Sequence, residues 1–197
     1  MRKLLILTIA IILGPVASFG QTSYEEKADQ YRELGNYNDA IVYYTLALDG
    51  LTAEERLDIV DKRAISYQNN DNQTSALVDY SEIVEFYRKN PERLKFMTSK
   101  SRDDWVDFQF DFMNPLFFKA TCLFFLERTE EALNELTQYI ELSEFNYRGM
   151  LYLDALEYRG LCRAQNRDMV GACSDWNNAA QEGSKKCDEL WKKHCGN

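Results

Sequence analysis

The chain of 197 residues is 45% hydrophobic, enough for one domain with a core of its own. Its formal net charge is −9, from 32 acidic against 23 basic residues. Such a surface repels phosphate backbones and anionic lipid, which argues against a nucleic-acid partner, and it also suits plain solubility.

The first twenty residues read as a signal peptide. Arg2 and Lys3 make a charged start, Leu4 to Leu13 is an apolar run broken only by Thr8, and Gly14 and Pro15 end it. Ser18 and Gly20 are small enough for the −3 and −1 positions of a cleavage site before Gln21. The run is too short to cross a bilayer unaided, although a retained anchor is the alternative reading. No cysteine follows it to carry a lipid, and no second apolar stretch reaches membrane length. The expectation is an exported protein, periplasmic, outer-membrane-associated or extracellular, without stable membrane insertion once the leader is gone.

Unit one covers residues 22–50. Tyr24, Ala28 and Tyr31 lie four and then three apart, as do Ala40, Tyr44 and Ala47, with Gly35 between. Two helices joined by a turn satisfy both spacings: alanines let the backbones approach and aromatics fill the gaps. Asn36-Tyr37-Asn38-Asp39 forms the turn and caps the second helix, and Thr52 with Glu55 makes a capping box for the next one. Unit two, residues 53–90, repeats the frame at Val60, Ala64, Tyr67, Ala76, Tyr80 and Ile83, with Asp71 in place of the turn glycine and Pro91 as the stop. Residues 91–113 interrupt the period. Glu92 to Asp104 is polar, and Trp105 to Met113 is aromatic. Phe108, Phe110 and Phe112 alternate as in a strand, whereas Trp105, Phe108 and Phe112 fit a helical face, the reading favoured in an all-helical array. Unit three, residues 114–142, opens at Asn114-Pro115 and carries Leu116, Ala120, Leu123, Ala132, Leu136 and Tyr139. Unit four, residues 147–183, carries Leu156, Gly160, Arg163, Ala172, Trp176 and Ala179, and Gly183 ends it. Residues 184–195 read as a capping helix with Leu190 and Trp191 inward.

Export implies an oxidising compartment, so the five cysteines matter. On one helix Cys187 and Cys195 lie about 12 Å apart, beyond disulfide reach. Cys173–Cys195 is therefore the first candidate bond and Cys162–Cys187 the second. An odd count leaves a thiol free, with Cys122 in its apolar helix the expected one. There is no CxxC and His194 is the only histidine, so neither a metal nor a cofactor is expected.

The four units resemble tetratricopeptide repeats (TPRs), whose period is about 34 residues; Ala40 to Ala76 is 36. LGNYNDAIVYYTLAL in unit one is close to the family's turn and second helix. Unit four, with YRGLCRAQNRDMVGACSDWNNAAQEG, is similar to the terminal repeats of exported TPR proteins common in Bacteroidetes-type bacteria. In those a GAC.DW segment precedes a final helix ending in cysteine, which supports Cys173–Cys195. The resemblance implies an all-α, right-handed superhelical stack of about four hairpins with a C-terminal capping helix. It also implies a concave groove that binds proteins or peptides through first-helix positions. Those positions are Glu25, Asp29, Arg32 and Glu33 in unit one, and Asp58, Asp61, Ile65, Gln68 and Asn69 in unit two. Unit three supplies Asn114, Phe117, Thr121, Phe124 and Phe125; unit four supplies Asp154, Glu157, Leu161, Ala164 and Gln165. The family's lysine and asparagine clamp for acidic tails is missing.

A groove acidic at both ends and aromatic in its middle suits a partner segment with basic and apolar residues. The alternatives are that Phe117, Phe124 and Phe125 are core beneath the insertion, or that the insertion folds over the groove as a lid. A different use of the same fold is a structural subunit of a cell-envelope assembly that binds through convex or end faces. Catalysis is not expected. Adjacent carboxylates such as Asp103-Asp104 and Glu130-Glu131 point apart on a helix, and no GxSxG, P-loop or dinucleotide fingerprint appears. Burial of Cys122 would raise its pKa and make it inert.

Overall fold

A computed structural model describes residues 16–94, 102–145 and 151–196. All regular structure among the described residues is helical. The α-helices are α1 (Val16–Glu33), α2 (Tyr37–Ala47), α3 (Leu57–Asn69), α4 (Gln73–Lys89), α5 (Arg102–Phe108), α6 (Asn114–Phe125), α7 (Thr129–Phe145), α8 (Tyr152–Gln165), α9 (Met169–Gln181) and α10 (Lys185–His194). The charged and apolar parts of the expected leader, residues 1–15, lie outside the described residues; α1 runs through the expected cleavage position. Each helix packs on the next, α1 to α2 through α9 to α10, except that α4 meets α6 across the insertion. The result is an all-α superhelical stack of four hairpins ended by α10.

The hairpin turns share one geometry although only the first holds glycine. Gly35 has φ +72°, and Asp71, Glu127 and Arg167 adopt the same left-handed conformation at 55°, 60° and 66°. In every unit the next residue closes the turn. Asn36, Asn72, Arg128 and Asp168 donate N–H to the carbonyls of Tyr31, Tyr67, Leu123 and Arg163 at 2.8–2.9 Å, a Schellman closure. The side chains of Asn36, Asn72 and Asp168 then cap the second helix by accepting from the N–H three residues on.

Each hairpin closes around a small residue facing a large one. Ala28, Ala64 and Ala120 have no exposed surface, and Tyr44, Tyr80 and Leu136 opposite them are equally buried. In unit four the pair is Gly160 and Trp176. A Cβ on Gly160 would sit 2.4 Å from Trp176 Nε1, so the indole takes the volume that alanine occupies elsewhere. One residue before each small position stands a cation, and sixteen residues later stands its partner. Lys27 lies over the Tyr43 ring at 5.7 Å, Arg63 grips Asp79 at 2.7 and 2.8 Å, Lys119 meets Glu135 at 2.7 Å, and Arg159 grips Asp175 at 2.7 and 3.0 Å.

The aromatic half of the insertion is helical, and Pro115 does not open a new helix as the sequence suggests. α5 runs through a π-helical segment, Gln109–Met113, directly into α6. Proline has no N–H to give the carbonyl four residues back, and the widened turn, in which the Asn114 N–H reaches Gln109, absorbs that loss. Trp105, Phe108 and Phe112 are buried, and Phe112 meets Tyr87 of α4 edge-on. Upstream, Thr52 and Glu55 do form the reciprocal box, one turn ahead of α3.

Cys173 on α9 and Cys195 at the end of α10 form a disulfide with Cα atoms 5.8 Å apart. The second candidate fails: Cys162 and Cys187 are both free and buried, as is Cys122. The start of α10 meets the first half of α8, where Lys186 pairs with Glu157. Cys162 lies five residues beyond Glu157, about 7.5 Å along the helix, out of bonding reach of Cys187. Burial pushes the Cys162 thiol up to about 11 and the Cys122 thiol up to about 12, so both are inert at neutral pH.

Candidate clefts on the inner face

The first helices α1, α3, α6 and α8 carry one face of the stack, and two clefts open along it. The first, about 650 Å³, lies between α1, α3 and the start of α6; Arg32, Asp58, Asp61, Lys62, Ile65, Ile83, Tyr87, Phe110, Asp111, Asn114 and Phe118 are among its walls. The second, about 420 Å³, lies between α3, α6 and α8; it is lined by Gln68, Phe117, Phe118, Thr121, Phe125, Leu151, Asp154, Glu157, Tyr158 and Lys186. Phe118 belongs to both, so the two adjoin.

Of the residues assigned to the groove from sequence, Arg32, Asp58 and Asp61 stand in the first cleft. Gln68, Phe117, Thr121, Phe125, Asp154 and Glu157 stand in the second. Glu25, Asp29 and Phe124 sit beside these clefts with partners of their own. Asp29 accepts from the Tyr44 hydroxyl and lies 3.3 Å from Arg32. Glu25 pairs with Lys62 at 2.6 Å, and Lys62 also reaches Asp58 at 2.9 Å. Burial works against the Lys62 charge, but these carboxylates outweigh it and hold the ammonium above the usual lysine value. Lys62 thus neutralises much of the acidity expected at this end. It is missed from sequence because its partner Glu25 belongs to another unit.

Asp61 is different. Among the described residues it has no hydrogen bond and no ion pair, although it is largely shielded from solvent. Burial pushes its carboxyl up to about 6, Asp58 adds to the shift, and Arg32 and Lys62 oppose it. Asp111 across the cleft is also raised, by burial and then by Asp107, and burial with Asp111 pushes Tyr87 up to about 12. Asn114 Oδ1 and Arg32 Nε are buried atoms without a hydrogen-bond partner. The first cleft therefore offers unspent acceptors and a donor above an apolar floor of Ile65, Ile83 and Phe118.

The phenylalanines of the second cleft divide. Phe117 is 4% exposed and packs on Tyr139, Phe118 and Tyr158. Phe124 is half-buried, and Phe125 is 55% exposed. Their cover is not the insertion, whose rings pack instead toward Tyr87; Phe110 and Asp111 of the insertion wall the first cleft. Residues 95–101, the other part of the expected lid, lie outside the described residues. Gln68 is held internally, accepting from the Tyr80 hydroxyl at 2.8 Å and donating to Cys122 Sγ at 3.4 Å.

No helix among the described residues is long and apolar enough to cross a membrane. No protein-family model matches the chain, and no curated protein matches it. Solved structures do. One of MamA is 15% identical, with a TM-score of 0.65, covering 91% of this chain and 84% of that one. A second of MamA is 14% identical, with a TM-score of 0.56 and coverage of 78% and 72%. The nearly identical TPR-like repeats of a kinesin light chain from Podosopora anserina are 16% identical, with a TM-score of 0.60 and coverage of 83% and 75%. At such identities the likeness is one of fold, and the fold is that of a TPR-like stack.

Proposed function

We propose that the protein is an exported, non-catalytic scaffold whose inner face binds a protein or peptide segment carrying basic and apolar residues. The observation that carries this reading is the first cleft. Asp61 is shielded and unpaired beside Asp58 and Asp111, over an apolar floor that adjoins the aromatic second cleft at Phe118. A cation entering there meets Asp61, which pairs with no cation among the described residues, and its neighbours meet rings and aliphatic surface. Export rests on the leader and on the Cys173–Cys195 bond, which suits an oxidising compartment. Mass spectrometry of the secreted chain tests that part: it should begin at Gln21, in the manner of the Bacteroidetes-type proteins that unit four resembles.

Fluorescence anisotropy tests the binding. A labelled peptide alternating lysine and phenylalanine should bind, and its twin with glutamate for lysine should not. Asp61→Asn and Phe125→Ala should each weaken the first peptide, and Phe125 is exposed enough for the change to leave folding intact. Equal binding of both peptides, or indifference to both substitutions, would overturn the reading. The competing use, as a structural subunit of an envelope assembly, is favoured by the exposed Val42, Leu46 and Val78 on the second helices. In that case an envelope partner would be retained in the presence of excess peptide.

A further inference from the structure

Two buried carboxylates of this fold are locked by cations of their own unit, Asp79 by Arg63 and Asp175 by Arg159 and Arg163, and the half-buried Glu135 is held by Lys119 of its unit and by Arg88 of the one before. Glu157 is buried as deeply, at 4% exposed, but belongs to no such pair. It opens into the second cleft. Among the described residues the cation at it is Lys186, whose Nζ lies 2.6 Å from Oε1 and whose side chain is 68% exposed. At that distance the contact is charge-assisted, and it holds the Lys186 ammonium above the usual lysine value. Lys186 comes from outside the repeats, near the start of α10, whose far end Cys195 fastens to α9. A buried carboxylate served by one largely exposed lysine is a poor device for stability alone. It is a good one for exchange. The surrounding rings suit a lysine stem and head: Tyr158 meets Phe117, Phe124 and Phe125 edge-on at 5.3–6.1 Å, and Asp154 stands exposed at the rim.

We propose that Glu157, with Phe117, Phe125 and Tyr158, forms a subsite for a lysine side chain of the bound polypeptide, and that Lys186 occupies it in the free protein until displaced. The inference rests on the reading that the inner face takes a polypeptide. It makes α10 a built-in competitor as well as an end cap.

The test uses the full chain and the blocked peptide acetyl-Phe-Lys-Phe-amide, titrated by NMR chemical shift, with a norleucine analogue as control. Lys186→Met removes the ammonium and keeps the stem, and should tighten the lysine peptide about two- to fivefold, the range of one exposed ion pair. The norleucine peptide should gain nothing, and Glu157→Gln should abolish the gain. Thermal melts of each variant check folding, and Lys186→Met, at an exposed position, carries the test even where Glu157→Gln does not fold. Equal affinity of the unaltered chain and Lys186→Met, with Asp61→Asn still weakening the peptide, would overturn the subsite and leave the first-cleft reading standing. Binding by none of these proteins would overturn both.

Discussion

Asp61→Asn separates a residue kept for stability from one kept for binding. In the folded chain burial raises the Asp61 carboxyl from 3.8 to about 6. Between those values the folded state holds the proton more tightly than the unfolded chain, so stability falls as pH rises through this window. Below it the penalty is absent, and above pH 6 it is fully present. A shift of that size corresponds to about 3 kcal/mol at most, at 1.36 kcal/mol per unit. Partial solvent access lowers the expectation to about 1–2 kcal/mol. Asparagine keeps the shape and removes the charge. At pH 7.5 the variant should therefore be more stable by that amount, a rise of about 3–6 °C in Tm for a chain this size. At pH 3.5 it should match the unaltered protein. Denaturation with urea at several pH values, with m-values compared, measures this directly. The same variant should bind the lysine–phenylalanine peptide more weakly, so stability and affinity move in opposite directions. Loss of stability at pH 7.5, or a gain of equal size at pH 3.5, would refute the argument that Asp61 is an uncompensated charge.

Breaking the Cys173–Cys195 bond by Cys195→Ser should cost about 3 kcal/mol, from a loop of 22 residues. Hydrogen exchange should show α10 opening first. Gly160→Ala should destabilise by roughly 1–3 kcal/mol through collision with Trp176. Trp176→Tyr should rescue part of this in a double-mutant cycle, because alanine opposite tyrosine is the pairing of units one and two. Arg167→Gly should stabilise by about 0.5–1 kcal/mol, since arginine at φ 66° bears a strain that glycine does not, and thermal melts will show it. A loss there would mean that Arg167 does something beyond turning the chain.

The stack was legible in the sequence because its signals are local. Ala28, Ala64, Ala120 and Gly160 mark one contact repeated, and the turn residues seven positions later share one backbone conformation whether or not they are glycine. GAC.DW followed by a terminal cysteine located the disulfide through resemblance. The clefts were legible only in outline. First-helix positions identified Asp61, Phe125 and Glu157, but not that Asp29 is taken by Tyr44, or that Lys62 and Lys186 reach carboxylates on other elements. Those contacts join residues 15 to 37 positions apart, and no periodicity specifies where a long side chain ends. The π segment before Pro115 was hidden for another reason: proline favours the first position of a helix, so Asn114-Pro115 reads as a start, whereas α5 continues through Gln109–Met113 into α6.

From one unit to the next, the cations Lys27, Arg63, Lys119 and Arg159 are separated by 36, 56 and 40 positions, yet each meets its partner sixteen positions on. Phase is thus set inside each hairpin, where a slip by one residue would part each cation from its partner. Between hairpins the ion pairs, Lys62 with Glu25 and Arg88 with Glu135, keep no common spacing. Evolution could splice in the segment carrying Trp105 to Met113 without rephasing either neighbour, and further splices at the same seam should be tolerated while those within a hairpin are not.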